Sequence, residues 1–282
     1  MMPGSYRRLL GQPGVREAFA VSVLARLPIG MGGLALLLLV QINQGSYAAA
    51  GFVTSAYIAG LAGAAPVLGR LIDRLGPRPI LAAGAFLYPV ALTGVVVTAN
   101  HAVPLALTVA LSACAGASFP PVTVCQRALL RQRFEHDELL VVALSLDAVL
   151  IELAFILGPL LVALLVAWAS PSAAVLATAA FGLGGSLLFL RTRALARWVR
   201  VAHSPGSVLG PLAERGFPAL LVVGCAYAVV FGLVEIGLAA FAAEAGRPAL
   251  AGVLLGVMSF GSTAGGLAYG SRYWHMPLAV HC

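Results

Sequence analysis

The sequence predicts an all-α transmembrane protein, and three observations lead to this fold class. Hydrophobic residues make up 61% of the 282 residues, and the mean hydropathy is +0.98. Only 10% of the residues are charged, whereas a soluble domain carries about 25%, so this chain has too few charges to cover a surface that faces water. The apolar residues also form long stretches without the alternation of a membrane strand, as in "LALLLLV", which indicates helices.

Eight apolar spans are long enough to cross a bilayer, which takes about 20 residues for a helix. They are residues 18–41, 48–69, 79–99, 103–126, 139–168, 172–190, 217–242 and 248–270. The chain is polar up to residue 17, and the apolar run that follows is longer than the core of a signal peptide. We therefore expect no cleavable leader.

The positions of the arginines predict the orientation. All 17 basic residues are Arg, and fifteen of them lie before the first span or after an even-numbered span. Only Arg247 lies in a loop on the opposite side, and Arg26 lies within the first span. The positive-inside rule then places the N-terminus and the even-numbered loops in the cytoplasm. This distribution explains the basic charge by topology, so we expect a lipid bilayer and no nucleic acid as the partner.

Composition and internal repetition predict the domain organisation. The longest stretch that is not apolar, residues 191–216, holds five arginines and is interpreted as a cytoplasmic linker, although an ordinary long loop is the alternative. A shift of 201 residues aligns Gly51, Gly60 and Gly69 with Gly252, Gly261 and Gly270, so spans seven and eight repeat spans one and two. Such repeats are typical of transporter folds. We predict a six-helix bundle at 1–190, the linker, and a partial second bundle at 217–282.

A polar pattern, G-x-x-x-D-R-x-G-x-R, follows the second span in "GRLIDRLGPRP". Its members are Gly69, Asp73, Arg74, Gly76 and Arg78. Gly69 allows a neighbouring helix to approach closely. Asp73 can accept hydrogen bonds from Arg or from a helix N-terminus, and Gly76 supplies the turn into the third span. The alternative is a plain positively charged loop.

This pattern resembles the signature loop of the major facilitator superfamily, and the resemblance extends over essentially the whole chain. It implies alternating-access transport of a small molecule, with the loop stabilising the outward-facing state. Two departures are that Pro79 stands where the family commonly has a basic residue, and that the repeat copy at 266–275 lacks the charges. The family has twelve helices, so we expect a chain truncated after about eight of them, able to self-associate through an uncovered face.

Two further features bear on the type of transporter. Gly158 and Pro159 in the fifth span resemble the core of a motif that drug–proton antiporters carry there, and they favour efflux. The alternative is a simple proline bend in that helix. The arginine that the family often carries in its fourth helix is absent, since residues 112–118 are "SACAGAS". Proton coupling through that arginine is therefore excluded.

Four ionisable residues lie inside apolar spans, where a charge costs about 2.5–3.5 kcal/mol on insertion scales and therefore faces a cavity or a partner. They are Arg26, Asp147, Glu152 and Glu235. Arg26 and Asp147 each lie about 12 Å from the cytoplasmic side at 1.5 Å per residue. We expect Arg26 to pair with Asp147 or Glu152, and Glu152 to be a substrate or proton site. An ion pair that only fixes helix packing is the alternative.

The sequence thus predicts a multi-pass protein of the inner (plasma) membrane that exports or takes up a small molecule. We expect transport to be coupled to protons through the buried charges. No nucleophile–base pair, phosphate loop or metal-ligand spacing of His and Cys occurs in the sequence, so we expect neither an enzyme nor a cofactor or metal. The alternative function is a truncated membrane protein that does not transport, or an interaction subunit. The apolar lining does not identify the substrate.

Overall fold

A computed structural model describes residues 3–101, 103–134, 139–196, 198, 216–246 and 250–270. These residues form helices connected by short turns, and no strand occurs among them. The helices are α1 (Pro3–Leu10), α2 (Val15–Gln44), α3 (Tyr47–Leu75), α4 (Pro77–Asn100), α5 (Leu105–Ala117), α6 (Val122–Arg133), α7 (Leu139–Trp168), α8 (Pro171–Leu190), α9 (Arg193–Ala196), α10 (Phe217–Glu244) and α11 (Leu250–Gly270). The all-α transmembrane prediction is confirmed.

Seven stretches within the described residues are long and apolar enough to cross a membrane. They are α2, α3, α4, α7, α8, most of α10, and the pair α5 and α6 taken together as Leu105–Arg133. Each corresponds to one of the first seven predicted spans. The predicted eighth span is α11, in which the described apolar segment, Val253–Ser262, is shorter than a full crossing.

The turns between the long helices follow from local sequence. Gly45 ends α2 in the left-handed conformation, with φ of 66°, and its N–H donates to the carbonyl of Gln41, which is the usual glycine C-cap. Ser46 then begins α3 by accepting a hydrogen bond from the N–H of Ala49 at 3.2 Å. Ser170 caps α8 in the same way, through the N–H of Ala173 at 3.0 Å. Serine at this position satisfies one of the free N–H groups of the first turn.

The fourth span is broken in its middle, which differs from the single helix that we predicted at 103–126. Residues 118–121, "SFPP", separate α5 from α6. Pro120 and Pro121 have no N–H to donate, and each proline disfavours the helical conformation of the residue before it. The break lies against Gly84 of α4, where a Cβ would be 3.0 Å from the carbonyl oxygen of Ser118.

The first six spans pack as one bundle around α2. This helix contacts α3, α7 and α8, while α4 packs between α5 and α8. The bundle closes through glycines that leave no room for a side chain. A Cβ at Gly116 would overlap the carbonyl of Tyr57, and one at Gly185 would overlap the backbone of Ala25. Small residues of this kind allow membrane helices to pack backbone to backbone.

The remaining elements lie around this bundle. Leu195 of α9, which falls in the predicted linker, is 1% exposed and packs in a hydrophobic cluster with Phe189. Helix α11 packs on α7, and α10 packs on α11. Within α10, nearly all of the described side chains are exposed, and Ala242 near its end is buried. Residues 199–215 of the predicted linker and 271–282 of the predicted remnant lie outside the described residues.

Candidate functional site

The centre of the site is an ion pair between α2 and α7. The Nη1 atom of Arg26 donates to the backbone carbonyl of Asp147 at 2.9 Å, and its Nη2 atom donates to the carboxylate Oδ1. Both side chains are fully buried. The pairing follows from the sequence, because the two residues lie at the same depth on helices that pack together. Of the two carboxylates expected as partners of Arg26, Asp147 forms the ion pair in the structure.

Arg127 of α6 completes the site as a second arginine on the same carboxylate. Its Nε donates to Oδ2 of Asp147 at 2.7 Å, and its side chain is 45% exposed. Both carboxylate oxygens of Asp147 are therefore occupied by guanidinium groups. Two positive charges meet one negative charge, so the cluster of Arg26, Arg127 and Asp147 carries a net charge of about +1 when all three are ionised.

Sequence reasoning missed the part that α6 contributes. The fourth span was ended at its first charge, and Arg127 was assigned to the cytoplasmic loop. The signal that would have found it is the helical spacing of Val122, Gln126 and Leu130, which continues past the predicted end. All three are buried in the structure. The helix therefore carries Arg127 back to the level of Asp147.

Arg26, and Gln126 next to Arg127 on α6, have polar atoms without partners among the described residues. The Nε atom of Arg26 and both amide atoms of Gln126 are buried and make no hydrogen bond to any described residue. Gln126 is 1% exposed. Buried polar groups are nearly always paired, and an unpaired one costs about 1–3 kcal/mol. A bound molecule or a water that makes hydrogen bonds to these atoms would therefore remove that cost.

Glu152 lies on a different face of α7 from the ion pair. At 100° per residue it is about 140° around the helix from Asp147, whereas Ala154 and Gly158 share the buried stripe of Asp147. Its side chain is half-buried, and no hydrogen bond or ion pair joins it to another described residue. Glu235, the fourth predicted residue, lies in α10, and its side chain is outside the described part.

The predicted signature loop forms the junction of α3 and α4, remote from the ion pair in sequence. Gly76 has φ of 86°, which residues with a side chain rarely adopt, and its N–H donates to Ile72 at 2.8 Å. Asp73, Arg74 and Arg78 are exposed. No described atom lies within 4 Å of a Cβ placed at Gly69, so the close helix approach expected there is not made by the described residues.

The predicted bend at Gly158 and Pro159 is a site of close packing. A Cβ at Gly158 would lie 2.6 Å from the carbonyl carbon of Gly30, where α2 crosses α7. Helix α7 continues through Pro159 as one element. The glycine therefore sets the distance between the two helices that hold Arg26 and Asp147.

A pair of tyrosines lies within the bundle and was not predicted. The hydroxyl groups of Tyr57 on α3 and Tyr88 on α4 are 3.2 Å apart, and both side chains are buried. Tyr88 also meets Phe119 edge to face, with ring centroids 5.3 Å apart. Gly182 of α8 makes room for the Tyr88 ring, since a Cβ there would be 2.7 Å from it. Tyrosine in an apolar span is ambiguous in sequence because its ring suits either core or lipid interface.

The fold and the site together define a multi-pass α-helical membrane protein with a buried ionic cluster between its helices. The model of the Major Facilitator Superfamily matches residues 18–274, and the chain belongs to this superfamily. Its members are typically transporters and not enzymes, so the protein is a membrane transporter of the major facilitator type. No curated protein and no solved structure matches the chain. Among the described residues, no group of three His, Cys, Asp or Glu side chains could hold a metal ion.

Proposed function

We propose that this protein is a secondary transporter that moves a small molecule across the plasma membrane by alternating access, with protons as the coupling ion. The observation that carries the proposal is the ionic cluster of Arg26, Asp147 and Arg127. Ionisable residues within membrane spans are costly and mark substrate, ion or proton pathways. This cluster joins three different helices, so a change in one helix alters the pairing of the other two.

Glu152 is the carboxylate that we assign to coupling. Both carboxylate oxygens of Asp147 already accept hydrogen bonds from arginines, so this side chain is committed to the ion pairs of the cluster. Glu152 is half-buried and has no such partner among the described residues. A carboxylate without a fixed counter-charge can take up and release a proton without breaking an ion pair, which is what a coupling site requires.

Orientation, membrane and direction complete the proposal. The bias of the arginines supports a cytoplasmic N-terminus, and we assign the protein to the plasma membrane. The Gly158 and Pro159 pair, which resembles the antiporter motif, favours efflux over uptake. The signature loop around Asp73 and Arg74 is exposed where α3 ends. This exposure suits a loop that pairs with another part of the transporter in one conformational state.

Reconstitution tests the proposal. The purified protein in liposomes is given an imposed proton gradient and a panel of labelled small molecules of different charge. We expect saturable transport of at least one compound, and this transport should stop when an ionophore collapses the gradient. The Arg26→Met variant should not transport the compound. Stable insertion with no flux of any compound would favour the alternative, a membrane protein that does not transport.

A further inference from the structure

The start of α6 is a helix N-terminus in the middle of a membrane span. Thirteen residues of α5 precede the break at 118–121 and twelve residues of α6 follow it. Pro121 stands at the N-cap without a side-chain hydrogen bond. The N–H groups of Thr123 and Val124 have no backbone acceptor among the described residues. Such free N–H groups, with the helix dipole, attract an anion.

Gln126 gives independent evidence that this end of α6 receives a ligand. In a helix, long side chains lean toward the N-terminus and cover the preceding turn, so we expect the Gln126 amide to lean toward the turn that holds Thr123. Its side chain is 1% exposed, and neither its Oε1 nor its Nε2 has a partner in the described part of the chain. This buried amide therefore offers a ligand an unpaired donor, Nε2, as well as an unpaired acceptor, Oε1.

The charges nearby have the sign that an anion requires. Arg127 is the next residue along α6, and it joins Arg26 on Asp147. Each oxygen of Asp147 accepts a hydrogen bond from one of these two arginines. The Nε atom of Arg26 is buried without a partner among the described residues. Measured from Arg133 at 1.5 Å per residue, Gln126 is about 10 Å deep, close to the estimated depth of Arg26.

We propose that the first turn of α6, with the amide of Gln126, binds the anionic group of the transported molecule, a carboxylate or a phosphate. The inference rests on the proposed transport function and names its substrate class. The free N–H groups of α6 and Nε2 of Gln126 donate to the anion, and the excess positive charge of the arginine pair stabilises it. Arg127, the next residue along α6, is 45% exposed, so this arginine is accessible from the surface of the bundle.

Ligand binding to the purified full chain in lipid nanodiscs tests the proposal without needing the true substrate. The probes are acetate and inorganic phosphate, with acetamide as a neutral match for acetate and chloride at equal ionic strength. The readout is the midpoint of thermal unfolding. We expect acetate or phosphate, but not acetamide or chloride, to raise the midpoint, and the response to each identifies which anion the site prefers.

Two variants and one control locate the binding site. Gln126→Leu removes the donor, and we expect it to weaken anion binding at least about tenfold, as the loss of a hydrogen bond to a charged group does. Gln126→Glu keeps the size of the side chain, places a carboxylate at the helix end, and should abolish the response even if the leucine variant folds poorly. Thr108→Val is the matched control, because it also removes a buried polar group without a described partner, here a hydroxyl on α5.

The outcomes separate this inference from the proposed function. Anion binding that Gln126→Leu and Gln126→Glu remove, while Thr108→Val keeps it, supports the site. No response of the wild-type protein to either anion, or an equal response in the Gln126 variants, overturns it. If proteoliposomes transport only neutral or cationic compounds, transport stands and the anion site is wrong. If anions bind but no compound is transported, the site stands and the transport proposal is wrong.

Discussion

Arg26 holds Asp147 by two atoms at once, its backbone carbonyl and its carboxylate. The carbonyl contact is unusual for a residue inside a continuous helix, because that oxygen already belongs to the helix ladder of α7. The guanidinium therefore fixes both the side chain and the position of α7 along its axis relative to α2. Arg127 contacts only the carboxylate, and from a half-exposed position.

This asymmetry predicts unequal effects of removing each member. Asp147→Leu strands the fully buried Arg26, and we expect a loss of about 3–5 kcal/mol in the free energy of unfolding. Arg26→Met costs less, because Asp147 keeps Arg127. The double variant should be more stable than Asp147→Leu alone. Reversible unfolding in detergent, followed by circular dichroism, measures all three. Equal losses for the two single variants would show that Arg127 does not share the carboxylate.

The crossing of α2 and α7 makes a second prediction. Gly158→Ala places a methyl group against the backbone of Gly30, so the helices must separate. We expect a loss of about 1–3 kcal/mol, as overpacking costs in a closely packed interior, and weaker pairing of Arg26 with Asp147. Gly184→Ala is the control, since no atom of the described residues lies within 4 Å of a Cβ there. Equal thermal midpoints of the two variants would contradict the close crossing.

The signature loop contains a matched pair of glycines with opposite expectations. Gly76→Ala forces a side chain onto a backbone φ of 86°, which costs about 1–2 kcal/mol. Gly69→Ala lies within α3 in open space, and removing a helix glycine there should gain about 0.5–1 kcal/mol. Thermal midpoints in detergent measure both. A destabilised Gly69→Ala variant would instead reveal a close neighbour at this position.

Much of the fold was predictable because the membrane simplifies the problem. Each of the first seven apolar spans corresponds to a long helical crossing, since lipid leaves the backbone no other way to pair. The break at residues 118–121 was missed, although Pro120 and Pro121 are visible, because the residues around them stay apolar. A hydropathy window responds to composition and not to the missing N–H groups of two prolines.

The site was predictable only in part. Equal depth brought Arg26 and Asp147 together in the prediction, because depth in a membrane can be counted in residues. Counting residues does not predict which helix packs against a given glycine. Gly69 was expected to pack closely and has no neighbour within 4 Å of its Cβ position among the described residues, whereas Gly158 packs directly on Gly30. Glycine indicates that a close approach is allowed, and only the three-dimensional packing shows where one occurs.

The orientation of the protein is testable without any substrate. Fifteen arginines lie on one side of the predicted spans and one lies on the other. We expect a reporter that is active only in the cytoplasm to work when fused after Arg133 or Arg200, and to fail after Asn43 or His101. Periplasmic and cytoplasmic reporters at the same four points control for expression. Cytoplasmic activity at His101 equal to that at Arg200 would refute the orientation.

The last prediction separates coupling from packing at Glu152. We expect Glu152→Gln to insert and to keep a thermal midpoint close to that of the wild-type protein, because this half-buried side chain has no described partner to strand. Transport by this variant should lose its dependence on the proton gradient, since the amide cannot carry a proton. Flux in proteoliposomes between about pH 5 and 8 measures this loss. Glu17→Gln is the control, as Glu17 is an exposed carboxylate in the first turn of α2. We expect the flux of Glu17→Gln to follow the proton gradient over that range. If the flux of Glu152→Gln follows it as well, Glu152 is a packing residue and the coupling site lies elsewhere.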